Sequence, residues 1–517
     1  MGRVPRPFAD GRQIAYAWFN ERAQRDLRVY SLETSSARVV YARDEVEYAQ
    51  PFAWTPDGSR ILASLARNDR ANQIALVDVG NGSARVLKTL DWRSPQKLAL
   101  SPDGRYVVYD FPRKEDSPQR DVFLLAADGS SDELLVEHPD NDVVLGWTPD
   151  GKRMLFGSDR TGRLGIWALP IADGKALGLP ELVRADVPLL RAMGVTREGA
   201  FYYSVRTGVS DVYTATVDAR IGAVVSPPAP LTPRFVGWNR SPDWSADGRL
   251  VAYVSQRDAP PRSVGWMGGT IVVRSLATGE EREIAPRLAT MGTQARWSPD
   301  GRSFLVHGRN ATGTGFFTLS AQTGEATLVL REEPPGYVQS PAWSPDSKSL
   351  FYLRTTPEAN NRLRVRNLET GEDREVFSRS TNNVALSPDG RSLVVRFGDP
   401  GDPASVLAIV PASGGEAREL LRVLRPHVLP PWSGLAWTPD ARHILFTQTS
   451  EASRQQLFEL WRIPVEGGTP QRTGIAMEGL RNLRVHPDGQ RIVFGAGQNK
   501  DEIWVMENFL GTLEAAR

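Results

Sequence analysis

The chain of 517 residues contains no cysteine. That removes disulfides, thiolate zinc sites, iron–sulfur clusters and thiol nucleophiles together. Histidine is scarce. His138, His307, His427, His443 and His486 are the five, and they lie far apart in sequence. Only seven of the 62 basic residues are lysine. Arginine dominance on this scale reads as base composition more than as selection for phosphate binding. An excess of one charge is missing too, with 62 basic residues against 61 acidic ones and a net charge of +1. A nucleic-acid surface normally shows a basic excess, so no nucleic-acid partner is expected. No run approaches the roughly 18 apolar residues that span a membrane. The first residues, MGRVPRPFADGR, carry no apolar leader core. The default expectation is therefore cytoplasmic, or extracytoplasmic if the chain is a piece of a longer protein.

Catalytic motifs are equally thin. There is no G-x-S-x-G nucleophile elbow, H-E-x-x-H, P-loop or EF-hand loop. The carboxylates Asp399 and Asp402 stand in GDPGDP, which reads as a turn-rich loop. His486 takes the hydroxyl position of a turn described below. No catalytic residue, metal site or cofactor is expected, and the chain is expected not to be an enzyme.

What is present is a repeat. A core rarely grows past about 250–300 residues, so 517 residues imply two domains or a repeat array. Ser/Thr-Pro-Asp-Gly or a close variant centres on Asp10, Asp57, Asp103, Asp150, Glu198, Asp247, Asp300, Asp346, Asp389, Asp440 and Asp488. The intervals run from 43 to 53 residues. Three residues before the acid stand Trp54, Trp147, Trp244, Trp297, Trp343 and Trp437 in six units. Each unit reads as a strand bearing that residue, a tight Pro-Asp-Gly turn, an apolar strand such as RILASL or RLVAYV, a third strand such as QIALVDV or EIWVME, and a Gly turn into a fourth. Four short strands per unit describe a propeller blade, and the fold expected is all-β. The six Trp belong between blades as core rather than as sugar platforms. Ser347 and Ala441 replace the turn glycine, which calls for a different turn or strain.

The motif W-S-P-D-G with its following strands resembles the TolB-type, WD40-like (PD40) repeat family. That resemblance implies a β-propeller and no particular activity. GWNRSPDWSADGRLVAYVSQR (237–257), ELWRIPVEGGTPQRTG (459–474), MEGLRNLRVHPDG (477–489) and IWVMENFLG (503–511) are similar to propellers of bacterial receptor-like Ser/Thr kinases and winged-helix regulators. Prolyl-oligopeptidase-type enzymes pair a similar propeller with a hydrolase domain, whose elbow motif this chain lacks.

Known propellers close with about four to eight blades, so eleven units imply two tandem rings of four-stranded antiparallel blades. The Pro-rich VVSPPAPLTPRFVG suggests a boundary. Residues 1–230 are expected to form an N-terminal propeller of five blades, incompletely closed. Residues 231–510 are expected to form a six-bladed one, with 511–517 as a tail. The last unit lacks a fourth strand, and residues 231–237 are placed to supply it beside 503–507. Irregular loops opposite the turns are where binding residues gather. In the second ring these hold Trp238, Asn239, Arg240, Arg257, Trp266, Arg287, Tyr337, His427, Trp432 and Arg481. They suit a protein, peptide or small anionic ligand, or else are scattered surface residues. A monomeric ligand- or protein-binding scaffold is the expectation. The alternatives are the sensory part of a signalling protein separated from its kinase or winged-helix effector, and a hydrolase or lyase using the channel.

Overall fold

A computed structural model describes residues 6–8, 10–20, 24–115, 119–187, 190–207, 210–218, 222–231, 239–255, 269–288, 290–333, 336–356, 359–398, 401–431, 434–451, 457–498 and 500–509. All regular structure among them is β-strand, arranged as sheets that repeat along the chain and are antiparallel apart from one parallel bridge, Arg25 to Tyr48.

The turn that defines the repeat explains itself locally. In the unit at Asp300, the Ser298 hydroxyl donates to Asp300 Oδ1 at 2.6 Å, and Asp300 Oδ1 accepts the Arg302 N–H at 3.0 Å. Gly301 donates to the Ser298 carbonyl at 2.9 Å with φ at +71°, which glycine adopts freely. Ser347 and Ala441 keep the same turn, at φ of +61° and +56°. Their amides reach Ser344 and Thr438 as glycine would. The strain alternative, not the different turn, is what the chain adopts.

Four of the six Trp hydrogen-bond their blade to the neighbouring one. Trp54 Nε1 donates to the Arg6 carbonyl at 2.9 Å, Trp147 to Ala99 at 3.1 Å and Trp437 to Ala385 at 2.9 Å. Every acceptor lies four residues before the acid of its own unit. The indoles of Trp147, Trp244, Trp297 and Trp437 are buried, and that apolar burial is the main attraction between blades. On the outer side a Gly turn nests against the preceding blade. A Cβ on Gly324 would meet the Ala285 carbonyl at 2.3 Å.

The chain divides into two compact units, leaving aside 256–268, which lie outside the described residues. The first contains residues 1–207 and 500–517, the second 208–255 and 269–499. In the first, the strands from Arg6–Pro7 to Ala84–Leu90 form one eight-stranded sheet that holds two four-strand repeats, two further sheets follow in chain order, and the last is three-stranded, Leu190–Val195, Phe201–Thr207 and Lys500–Met506. Residues 1–5, on which its expected incomplete closure turns, are outside the described residues.

The second unit has six sheets. Five are continuous in sequence. In one of these the inner strand is broken into His427–Val428 and Leu435–Trp437, both paired with His443–Ser450. The sixth is assembled from both ends, in the order Val224–Pro230, Asp211–Val217, Arg491–Ala496 and Arg481–Val485. The expected pairing of 503–507 with 231–237 is therefore not made on the described side. Ile503 pairs with Ser204 and Val505 with Tyr202, and 232–237 are outside the described residues. The physical reason is that the last unit's third strand and the fifth unit's third strand, DVYTATV, have exchanged places. Each completes the other's blade, and the change of unit falls at 207/208 and 499/500 rather than at 230/231. The second ring closes where Asn239–Trp244 lies against Arg481–Val485. There Trp244 Nε1 reaches the Arg484 carbonyl at 3.4 Å. His486 donates from Nε2 to the Gly248 carbonyl at 2.8 Å and stands edge-on to Trp244.

Candidate functional site

The inner strands of the second unit are not regular ladders. Six residues before the turn acid, Ser241, Ser340 and Asn482 hold left-handed φ of +51°, +53° and +53°. The register with the next strand slips at each place. Such bulges swing neighbouring side chains out of the ladder and gather near functional surfaces. The residue just before each bulge is Arg240, Gln339 or Arg481.

Arg481 and Asn239 turn inward. Arg481 Nη1 donates to the Gly479 carbonyl at 3.1 Å, and its Nη2 donates to the Ser210 hydroxyl. Burial pulls its pKa down from the usual arginine value. Asn239 is fully buried, with its N–H on the Ser210 carbonyl at 3.2 Å and Nδ2 on Asp211 Oδ1 at 2.8 Å. The structure thus brings Asn239 and Arg481 together, through Ser210 and Asp211, where the exchanged strand enters the sixth sheet.

Arg287 stands apart from the others. Its N–H donates to Gly324 at 3.0 Å and its guanidinium pairs with Glu325 at 3.3 Å, both on the outer turn of the next blade. Arg240 is half-buried at the start of its blade, while Tyr337 and His427 are exposed at the starts of theirs. Trp238, Arg257, Trp266 and Trp432 lie outside the described residues.

Two groups escaped sequence reasoning. One is an amide chain near Tyr337. Gln339 Nε2 donates to Asn361 Oδ1 at 2.6 Å, and Asn361 Nδ2 donates to Asn382 Oδ1 at 2.8 Å. The other is a charged trio at the position just before the Trp. Asp243, Arg296 and Arg484 occupy it in three consecutive blades, where the remaining three have Ala342, Ala385 and Ala436. Comparing equivalent repeat positions, instead of reading loops, would have found both. Arg484 Nε pairs with Asp243 Oδ1 at 3.1 Å, and Asp243 Oδ2 accepts the Trp297 N–H at 2.9 Å. Arg296 is buried. Burial first, and then the nearby Arg484 charge, push its pKa down to about 9 against the pull of Asp243. It remains a cation at neutral pH.

With this geometry in place the chain can be set beside known proteins. No family model matches it. Dipeptidyl-peptidase 5 of Porphyromonas gingivalis is 23% identical over 333 residues, which is 54% of this chain and 47% of the relative. The uncharacterized peptidase YuxL of Bacillus subtilis is 26% identical over 225 residues, 41% of this chain and 30% of the relative. The chain thus spans less than half the length of these two curated relatives. A solved TolB structure from Agrobacterium tumefaciens is 16% identical with a TM-score of 0.43, and the match covers 57% of this chain and 99% of that one. The expectation that the chain is not an enzyme is corrected by the two peptidase-named relatives. An absent elbow motif excludes one nucleophile geometry, not catalysis. Among the described residues no helix is long and apolar enough to cross a membrane.

Proposed function

We propose that this chain is a polypeptide-binding β-propeller that serves a peptidase activity. Peptide or protein segments engage the second unit on the face where its inner strands begin. The observation that carries this reading is the run of bulged inner strands there: Arg240 and Gln339 directly precede two of the bulges, Tyr337 is exposed at the start of one of these strands, and Gln339 begins the Gln339–Asn361–Asn382 amide chain. An extended peptide needs backbone donors and acceptors plus an aromatic contact, and this face offers side-chain amides and a tyrosine. The peptidase-named relatives point to polypeptide as the ligand class. His427, exposed at the start of its own inner strand, is assigned to the same proposed surface.

The test is a binding screen of the purified chain against an immobilised peptide library, followed by titration in solution and mass spectrometry of the peptides after incubation. Saturable binding that weakens on combined Arg240→Ala and Tyr337→Ala replacement is expected. Uniform non-binding across the library would overturn the proposal.

A further inference from the structure

The charged trio on the inner strands carries the inference further. Asp243, Arg296 and Arg484 come from three blades that meet at the closure of the second ring. One carboxylate faces two guanidiniums. Arg484 has the better share, with its Nε 3.1 Å from Asp243 Oδ1 and its Nη1 on the Leu483 carbonyl at 2.9 Å. The second Asp243 oxygen is taken by the Trp297 N–H at 2.9 Å. Arg296 is only 7% exposed. Among the described residues its one hydrogen bond is long, 3.5 Å from Nη1 to the Pro242 carbonyl. A guanidinium carries five donor hydrogens, and a buried cation normally has both an anion and a full set of acceptors.

The blade contacts are irregular at the same place. The indole N–H groups of Trp297 and Trp343 are buried without a hydrogen-bond partner among the described residues. Elsewhere the equivalent indole reaches the carbonyl of the preceding blade. The acceptors that would serve Trp297 and Trp343 by the same rule belong to Asp243 and Arg296. On the other three blades the trio's position holds alanine, so that position adds no further carboxylate beside Arg296.

The geometry points to a carboxylate-binding site at Arg296, shared with Arg484, that takes a terminal or side-chain carboxylate of a bound polypeptide. This rests on the peptide-binding reading above and deepens it by naming the group recognised. A planar carboxylate matches the guanidinium fork and supplies the missing negative charge. Asp243 holds Arg484 in place and offsets part of the positive charge of the two guanidiniums.

The test uses the full chain and three neutral-backbone pentapeptides. One has a free C-terminal carboxylate, one a C-terminal amide, and one a C-terminal amide with a central glutamate. Affinity is read by calorimetry and thermal unfolding is followed with and without peptide. At least one carboxylate peptide is expected to bind roughly tenfold or more tightly than the neutral amide, since charge-assisted pairs are about twice as strong as neutral ones. Which of the two binds assigns the source as terminal or side-chain. Arg296→Gln is expected to remove that preference and to raise the melting temperature of the unliganded chain, because it deletes an under-compensated buried charge. A merely structural arginine would lower it. Equal affinity for all three peptides overturns the carboxylate site while leaving peptide binding intact. Unchanged preference in Arg296→Gln overturns it as well. Absence of binding to any peptide overturns the underlying reading itself.

Discussion

Asn239 Nδ2 donates to Asp211 Oδ1 at 2.8 Å, with both side chains buried. The bond ties the first inner strand of the second unit to Asp211–Val217, the strand that enters its sixth sheet from the fifth repeat. It is a latch on ring closure, alongside Arg481 on the Ser210 hydroxyl. Asn239→Ala leaves a buried carboxylate short of a donor and is expected to cost about 1–3 kcal/mol. Urea unfolding should show a lower midpoint at unchanged slope, since the surface exposed on unfolding stays the same.

The strand exchange makes a second, sharper expectation. Lys500–Met506 pairs with Phe201–Thr207 along its whole length. Met506 and Phe509 are buried in one cluster with Phe201 and Tyr203. Deleting residues 500–517 therefore removes an edge strand and part of a core from the first unit, though these residues follow the second unit in sequence. Hydrogen exchange read by mass spectrometry should show lost protection across Phe201–Thr207, while Arg491–Ala496, held by Asp211–Val217, keeps its protection. Loss confined to Arg491–Ala496 would contradict the exchange.

The blade pattern was legible because its determinants are local. Ser298, Asp300 and Gly301 settle a turn among themselves within four residues, and Trp three positions earlier marks the strand that enters it. Strand partnership is not local. EIWVME and DVYTATV both read as third strands, and nothing in either names the blade it completes. The candidate site shows the same limit. Asn239 and Arg481 read as loop-face polar residues, yet their hydrogen bonds go to Ser210 and Asp211, some 28 and 271 residues away for the pairs Asn239–Asp211 and Arg481–Ser210. A polar residue looks the same in sequence whether its partner is a ligand or the chain itself. Arg296 was hidden for the opposite reason, since it is the penultimate residue of its strand, beside a Trp, where a core residue belongs.

Ser347 and Ala441 hold φ of +61° and +56° in turns that elsewhere use glycine. A left-handed non-glycine residue costs on the order of 1 kcal/mol, partly offset by the greater freedom glycine gives the unfolded chain. Ser347→Gly and Ala441→Gly should each stabilise the chain by up to about 1 kcal/mol. The two sites lie in different blades, so the double variant should approach the sum. The reverse change, Gly301→Ala, meets nothing within 4 Å and should cost only the backbone strain. Gly324→Ala, whose Cβ would meet the Ala285 carbonyl at 2.3 Å, should cost distinctly more. Thermal unfolding of the four single variants and the double checks the order.

The turn aspartates set how the fold answers acid. Hydroxyl donation from Thr55, Ser245, Ser298, Ser344 and Ser387, followed by a backbone N–H or a second hydroxyl, holds Asp57, Asp247, Asp300, Asp346 and Asp389 below the usual carboxylate value. Asp57 falls to about 2. A carboxylate whose folded pKa lies below its unfolded value of about 3.9 favours the folded chain above that value. That contribution is lost as pH falls from about 4 toward 2. With the motif repeated along both units, the losses add, and the melting temperature should fall steeply below about pH 4. Asp389→Asn isolates one term. Its amide oxygen can still accept from Ser387 and the Arg391 N–H, which the carboxylate meets at 2.6 and 3.0 Å, but it carries no charge to lose. The variant should be less stable than the natural chain at pH 7, and the gap should shrink as pH is lowered to 3.5. A gap that stays constant or widens would show that the turn does not depend on the ionised form.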